Sequence, residues 1–256
     1  MHMLNPHCGV DRDSRGVVRL TICNAGSLNI LGTPVINGVR EGLQALAADR
    51  EIRVLVLAGQ SEKSMIGGAD IKEMAKLEQK SAEKFITGLR DLCEAVRAFP
   101  GPVIARMPGW CLGGGLEVAA ACDFRIAAHD AKFGMPEVRV GIPSVIHAAL
   151  LPRLIGWGRA RWLVMTAENI DAATALAWGL IDRVAPSGEL DATVEQTIAM
   201  LLECSPEALR AQKALLRQWE ELPLKESVDL SIGVFGQSYL TGEPQRLMLD
   251  FVNRKR

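Results

Sequence analysis

The stretch Cys111-Leu112-Gly113-Gly114-Gly115-Leu116-Glu117-Val118-Ala119-Ala120-Ala121-Cys122-Asp123 decides how this chain is read. Three glycines run into an apolar, helix-prone segment with one carboxylate near its start. Glycine lets backbone approach a ligand closely, and the first amides of a helix have no intrahelical acceptor, so they can serve a developing negative charge. Val118 to Cys122 leave little polar face on which Glu117 could be solvated. Burial raises a carboxyl's pKa into the range useful for proton transfer. Donors and an acid/base within one helical turn are a way to handle a carbonyl group. The competing reading is tight helix–strand packing through small residues.

Working outward, Val103 to Met107 reads as a strand before Gly109, and Asp123 to Ala127 as a short strand after the helix. Upstream, Val17 to Ile22 and Arg53 to Ala58 read as strands, with an amphipathic helix from Pro34 to Ala48 between them and Gly59 to Gly68 as a loop. Ser81 to Ala98 carries Phe85, Leu89, Leu92 and Val96 at one-face spacing and is stopped by Pro100-Gly101-Pro102. Strands alternating with helices predict an α/β domain with parallel strands. From Arg153 the pattern turns helical, with Gly158–Met165, Asp171–Trp178 and Leu190–Glu203 as helices and Ser205-Pro206 as a cap and first turn. The expected division is a core over 1–195 that holds the site and a helical region over 196–256.

Composition narrows the class. In 256 residues, 48% are hydrophobic, and 29 Lys+Arg balance 30 Asp+Glu for a net charge of −1. Such balance argues against nucleic acid or an anionic membrane as partner. The six cysteines show no Cys-x-x-Cys pairing and read as buried reduced thiols; the four histidines lack metal-ligand spacing, so no metal is expected. Met1 to Arg15 is polar, with no apolar core of signal-peptide length and with Asp11 and Asp13 unlike a transit peptide, and no apolar run is long enough to span a bilayer. The expectation is a soluble, cytoplasmic protein.

Two further stretches combine glycine, carboxylate and a strand-to-helix position. Gly67-Gly68-Ala69-Asp70-Ile71-Lys72-Glu73-Met74 leads from a loop into a helix that Asp70 can cap, presenting the Ala69 amide at the helix entrance. Phe133-Gly134-Met135-Pro136-Glu137 places a carboxylate among apolar residues; alone it would read as a surface loop. In order and spacing, the three stretches together resemble the crotonase (enoyl-CoA hydratase/isomerase) superfamily over roughly residues 15 to 256, with Ala172 to Val184 adding to the match.

That resemblance implies a spiral of ββα turns with a C-terminal helical region for oligomerisation, assembled as a trimer or dimer of trimers. It implies an acyl-CoA thioester as substrate and no separate cofactor. It places the two amides of an oxyanion hole on Ala69 and Gly114 and two acid/base glutamates on Glu117 and Glu137, without saying which does which. Gly68, Asp70, Ile71, Leu112 and Pro136 fall at substrate-lining positions. Lys63 and Lys72 fall near the CoA nucleotide, Lys63 being the better candidate against the alternative of a solvated lysine. Phe251 and Lys255 match a segment that can complete a neighbour's CoA site. Two glutamates favour hydration of a short 2-enoyl-CoA or its reverse; isomerisation, dehydration or thioester hydrolysis on the same scaffold, or a non-catalytic CoA-binding subunit, are the alternatives. The chain departs from the family's pattern at Ser144-Val145-Ile146-His147-Ala148-Ala149-Leu150-Leu151, where relatives are glycine-rich. Bulkier side chains there predict a reshaped acyl pocket, with His147 either lining it or packed in a helix. At Asn24-Ala25-Gly26-Ser27-Leu28-Asn29 a basic CoA contact is missing.

Overall fold

Strand, strand, helix is the unit that repeats through the first two hundred residues. A computed structural model describes residues 1–253. It opens on β1 (His2–Asn5), β2 (Cys8–Arg12) and β3 (Val17–Ile22), followed by α1 (Thr33–Ala47). Then come β4 (Val54–Gly59), β5 (Ser64–Ile66), α2 (Ile71–Met74) and α3 (Gln79–Ala98), and next β6 (Val103–Met107), β7 (Trp110–Leu112) and α4 (Gly114–Ala120). The fourth turn is β8 (Phe124–Ala128) and β9 (Lys132–Gly134), with 3-10 turns over Glu137–Val140 and Ile146–Leu150. α5 (Leu151–Thr166), β10 (Ile170–Asp171), α6 (Ala172–Trp178), β11 (Arg183–Ala185) and α7 (Leu190–Leu202) complete this part.

The strands form two sheets, in the orders β1-β2-β3-β4-β6-β8-β11 and β10-β9-β7-β5. From β3 to β11 the first sheet is parallel, as expected. The polar N-terminus departs from expectation: β1 and β2 pair antiparallel and extend the sheet through β3. Every residue of β4 and β6 is buried, as befits central parallel strands covered on both faces. α1 packs with Val35, Val39 and Leu43 inward, and α3 with Phe85, Leu89, Leu92, Cys93 and Val96.

The second sheet is absent from the sequence reading, and it is what places the site. The expected loop 59–68 contains β5, which lies parallel to β7, and β7 lies parallel to β9. Parallel neighbours end on one edge, so Gly67-Gly68-Ala69, Gly113-Gly114 and Met135-Pro136-Glu137 emerge side by side. Three-residue strands are too short to show a period of two.

The chain divides into two compact units, Met1–Leu202 and Glu203–Arg256; residue 195 falls inside α7. In the second unit, α8 (Pro206–Glu221), α9 (Leu224–Ser238), a 3-10 turn (Tyr239–Thr241) and α10 (Glu243–Asn253) follow one another. Ser205 caps α8, its hydroxyl accepting from the Ala208 N–H at 3.1 Å, with Pro206 in the first turn. Among the described residues no helix is long and apolar enough to cross a membrane.

Candidate active site

Each glycine of the 113–115 run meets a different neighbour. Gly113 has φ +52°, in the left-handed region that favours glycine, and a Cβ there would lie 2.5 Å from Glu137 Oε1. A Cβ on Gly114 would lie 2.7 Å from Leu89 Cδ2, and one on Gly115 2.7 Å from Ile66 Cβ, against β5. The run therefore joins the end of β7 to the carboxylate that follows β9 and to the strand that precedes Ala69. As the first residue of α4, Gly114 has no intrahelical acceptor for its N–H.

Ala69 is held by a single parallel bridge to Leu31. The Leu31 N–H donates to Gly68 O at 2.9 Å, and its carbonyl accepts from the Asp70 N–H at 3.0 Å. This flanking pattern turns Ala69's own N–H away from Leu31. Asp70 caps α2 as expected, Oδ1 accepting from the Lys72 and Glu73 N–H groups at 2.8 and 3.2 Å. Gly68, at φ +121°, brings this loop to the Leu112 carbonyl, 3.5 Å from where a Cβ would stand.

The whole of α4 is buried, and Glu117 is 4% exposed. Burial is the main cause that pushes its pKa up to about 8; the charge of Glu137 adds to the rise and a hydrogen bond from the Ala148 N–H opposes it. That bond, to Oε1, is 2.8 Å long. Glu137 is half-buried and opens a 3-10 turn that ends on left-handed Gly141. Burial raises its pKa too, against its own backbone N–H and the Ser144 hydroxyl, which donates to Oε2 at 2.9 Å.

Ser144 and the Ala148 amide were not among the candidate site residues. Both belong to the 144–151 stretch, whose side chains predict only a bulkier wall. One hydrogen bond from its first residue and one from its middle each reach one of the two carboxylates. A hydroxyl seven residues after Glu137 was the available signal for Ser144; the Ala148 contact is made by backbone and leaves no trace in sequence. His147 is buried, 6% exposed, with Nε2 2.8 Å from Glu94 Oε1 of α3. Its ring is engaged with that helix, in keeping with the packed alternative.

The remaining candidates lie further out. Pro136 and Leu112 are half-buried beside the carboxylates' loops, while Ile71, Lys63 and Lys72 are exposed. Lys63 precedes β5, and its carbonyl accepts from the Trp110 N–H at 3.0 Å. Phe251 is 75% exposed on α10; Lys255 lies outside the described residues. Cys8, Cys23, Cys93, Cys111 and Cys122 are buried free thiols, but Cys204 is exposed, contrary to expectation, because it sits between α7 and α8.

A buried and a half-buried carboxyl thus flank the glycine run that opens α4, with the Ala69 loop reaching the end of β7, the strand before that run. Residues 12–256 match the family model described as Enoyl-CoA hydratase/isomerase, and the chain belongs to that family. A short-chain-enoyl-CoA hydratase of Clostridium acetobutylicum is 31% identical over 241 residues, 94% of this chain and 92% of that protein. A crotonyl-CoA hydratase of Syntrophomonas wolfei is 32% identical over 90% of this chain and 89% of its own length. Among solved structures, an enoyl-CoA hydratase of Mycobacterium smegmatis superposes with a TM-score of 0.94 at 28% identity, covering 98% of both chains. The architecture is the crotonase fold, a spiral of ββα turns followed by C-terminal helices.

Proposed function

We propose that this chain is a hydratase that adds water reversibly to a short-chain 2-enoyl-CoA, giving the 3-hydroxyacyl-CoA. The observation that carries the reading is that Glu117 and Glu137 meet at one glycine turn: a Cβ on Gly113 would lie 2.5 Å from Glu137 Oε1 and one on Gly114 3.9 Å from Glu117 Oε2. Hydration moves one proton from water and one onto C2. With one proton on the pair, the ionised carboxylate takes a proton from water as its oxygen bonds to C3. The double-bond electrons pass into the thioester, forming an enolate, and the protonated partner then delivers its proton to C2. The pair ends with the proton count it began with, as two coupled groups sharing one proton can. No atom changes hands beyond the added water and no electrons leave the substrate, so the chemistry calls for no redox cofactor.

Ala69 and Gly114 are proposed to donate their N–H groups to the thioester oxygen as it gains charge. In comparable acyl systems such a donor is worth about 10²–10³ in rate. Gly68, Leu112 and Pro136 shape the backbone around the acyl group, Asp70 fixes the entrance of α2, and Ile71 and Lys63 face outward towards the CoA moiety. Free buried thiols support a reducing, cytoplasmic setting.

Oligomerisation as a trimer or dimer of trimers is part of the proposal. Each unit exposes large apolar side chains: Trp157, Trp162 and Met165 on α5 of the first, and Ile232, Phe235 and Leu240 in the second. Surfaces of this kind mark protein–protein contacts.

A panel of acyl-CoAs analysed by mass spectrometry tests the activity. Crotonyl-CoA is expected to gain one water. A shift of the double bond without mass change, release of free CoA, or binding without turnover over the whole panel would each replace this reading with one of its alternatives.

A further inference from the structure

Ile146 has φ +40°. A β-branched residue in the left-handed region is a genuine outlier, and such strain persists only where the surroundings over-determine it. The residue that follows is His147, buried at 6% exposure and 2.8 Å from Glu94 on α3. The next is Ala148, whose N–H reaches Glu117 Oε1 at 2.8 Å. Three consecutive residues thus carry a strained turn, a tether to a long helix, and a donor on a buried carboxylate.

We propose that His147 is a positioning residue: paired with Glu94, it holds the strained turn at Ile146 so that the Ala148 amide stays on Glu117. The proposal rests on the reading of Glu117 as catalytic. α3 is twenty residues long and locked into the core by Phe85, Leu89, Leu92 and Val96, so Glu94 is a fixed post. Ile146–Leu150 is a 3-10 turn with no side-chain cap at its start, and such a turn has weak hydrogen bonding of its own. Without the tether, rotation of Ile146 back to negative φ relieves the strain and withdraws the amide.

An N–H donor stabilises the ionised carboxylate, so its loss moves the Glu117 titration upward. The titratable and charged groups on the elements around Glu117 are Glu137 on the neighbouring 3-10 turn, His147 itself, Cys93, Glu94 and Arg97 on α3, the last 3.8 Å from Glu94 Oε1, Cys111 on β7 and Cys122 just beyond α4. Burial holds the Cys93 and Cys111 thiols well above their ordinary range, and Glu117 adds to the rise at Cys93.

The test uses the full chain and two readouts: the Glu117 carboxyl titration by ¹³C NMR, assigned with Glu117→Gln, and kcat against KM for crotonyl-CoA. In His147→Ala, Glu117 is expected to titrate at higher pH than in the parent. kcat should fall about ten-fold or more, the loss typical of one hydrogen bond to a charged group, with KM within about two-fold. Adding Ile146→Gly, which removes the strain, should bring both readouts back towards the parent. Glu94→Ala, at a half-exposed position, should shift Glu117 in the same direction and serves if His147→Ala does not fold. An unchanged Glu117 titration and kcat in the folded tether variant, whatever its melting temperature, would overturn the proposal. Absence of crotonyl-CoA hydration by the parent would instead count against the functional reading, and the NMR titration would still decide the tether.

Discussion

Glu117 costs the fold stability in a pH-dependent way. Its carboxyl titrates at about 8 in the folded protein against 4.5 ordinarily. Between those values the folded chain holds a proton that the unfolded chain releases, so this group's contribution to stability falls as pH rises. Glu117→Gln keeps an acceptor for the Ala148 N–H and removes the ionisation. It should melt above the parent at about pH 8, with the gap closing towards about pH 5; a pH-independent difference in thermal unfolding would contradict the assignment. The glycines beside it separate packing from chemistry. Gly115→Ala drives a methyl into β5 and should cost about 1–3 kcal/mol, as overpacking does. Gly113→Ala strains a left-handed position and puts its Cβ 2.5 Å from Glu137 Oε1, so activity should fall further than stability in paired melting and turnover assays. Glu117 shows in the sequence as a carboxyl in an apolar run behind a glycine-marked helix entrance, whereas Glu137 alone reads as a surface loop and, like the Ala69 and Gly114 amides, is picked out only by the ordered set of three stretches. Their partners leave less trace: His147 reads more readily as a packed helix residue than as a pocket residue, with nothing to point to Glu94, and a main-chain donor has no residue signature.

At the scale of elements, the small sheet organises the site. β5, β7 and β9 end on one edge and deliver the three motifs together. One-face spacing marks the long helices α1 and α3 and apolar runs mark the buried strands β4 and β6, but three-residue strands carry too few positions to show either signal. The N-terminal hairpin escaped for another reason: β1 is an edge strand with three of four residues exposed, so it shows no apolar face. α2 is short and depends on its ends. Asp70 caps it, and Glu73 reaches back to α1, accepting from the Thr33 N–H at 2.9 Å and from the Thr33 hydroxyl. Asp70→Ala should therefore cost about 1 kcal/mol, or about 2–4 °C in melting temperature, and lower kcat by loosening the segment that presents Ala69. Asp70→Asn, which can still cap, should lose less of both in the same melts and assays.

For the whole molecule, the exposed apolar side chains of each unit are the feature left over once the core is accounted for. Ile232 is 71% exposed and Phe235 65% on α9. Sedimentation is expected to give a trimer or a hexamer, and Ile232→Glu should shift the distribution towards the monomer. In the proposed reaction two carboxylates share the proton traffic of one hydration. The most direct measurement is crotonyl-CoA hydration, followed by loss of enoyl absorbance, in Glu117→Gln and Glu137→Gln beside the parent. Each substitution should lower kcat by at least about 10²-fold, the usual weight of a positioned acid or base, in a protein that remains folded. Parent-like turnover in either variant would contradict the two-carboxylate mechanism.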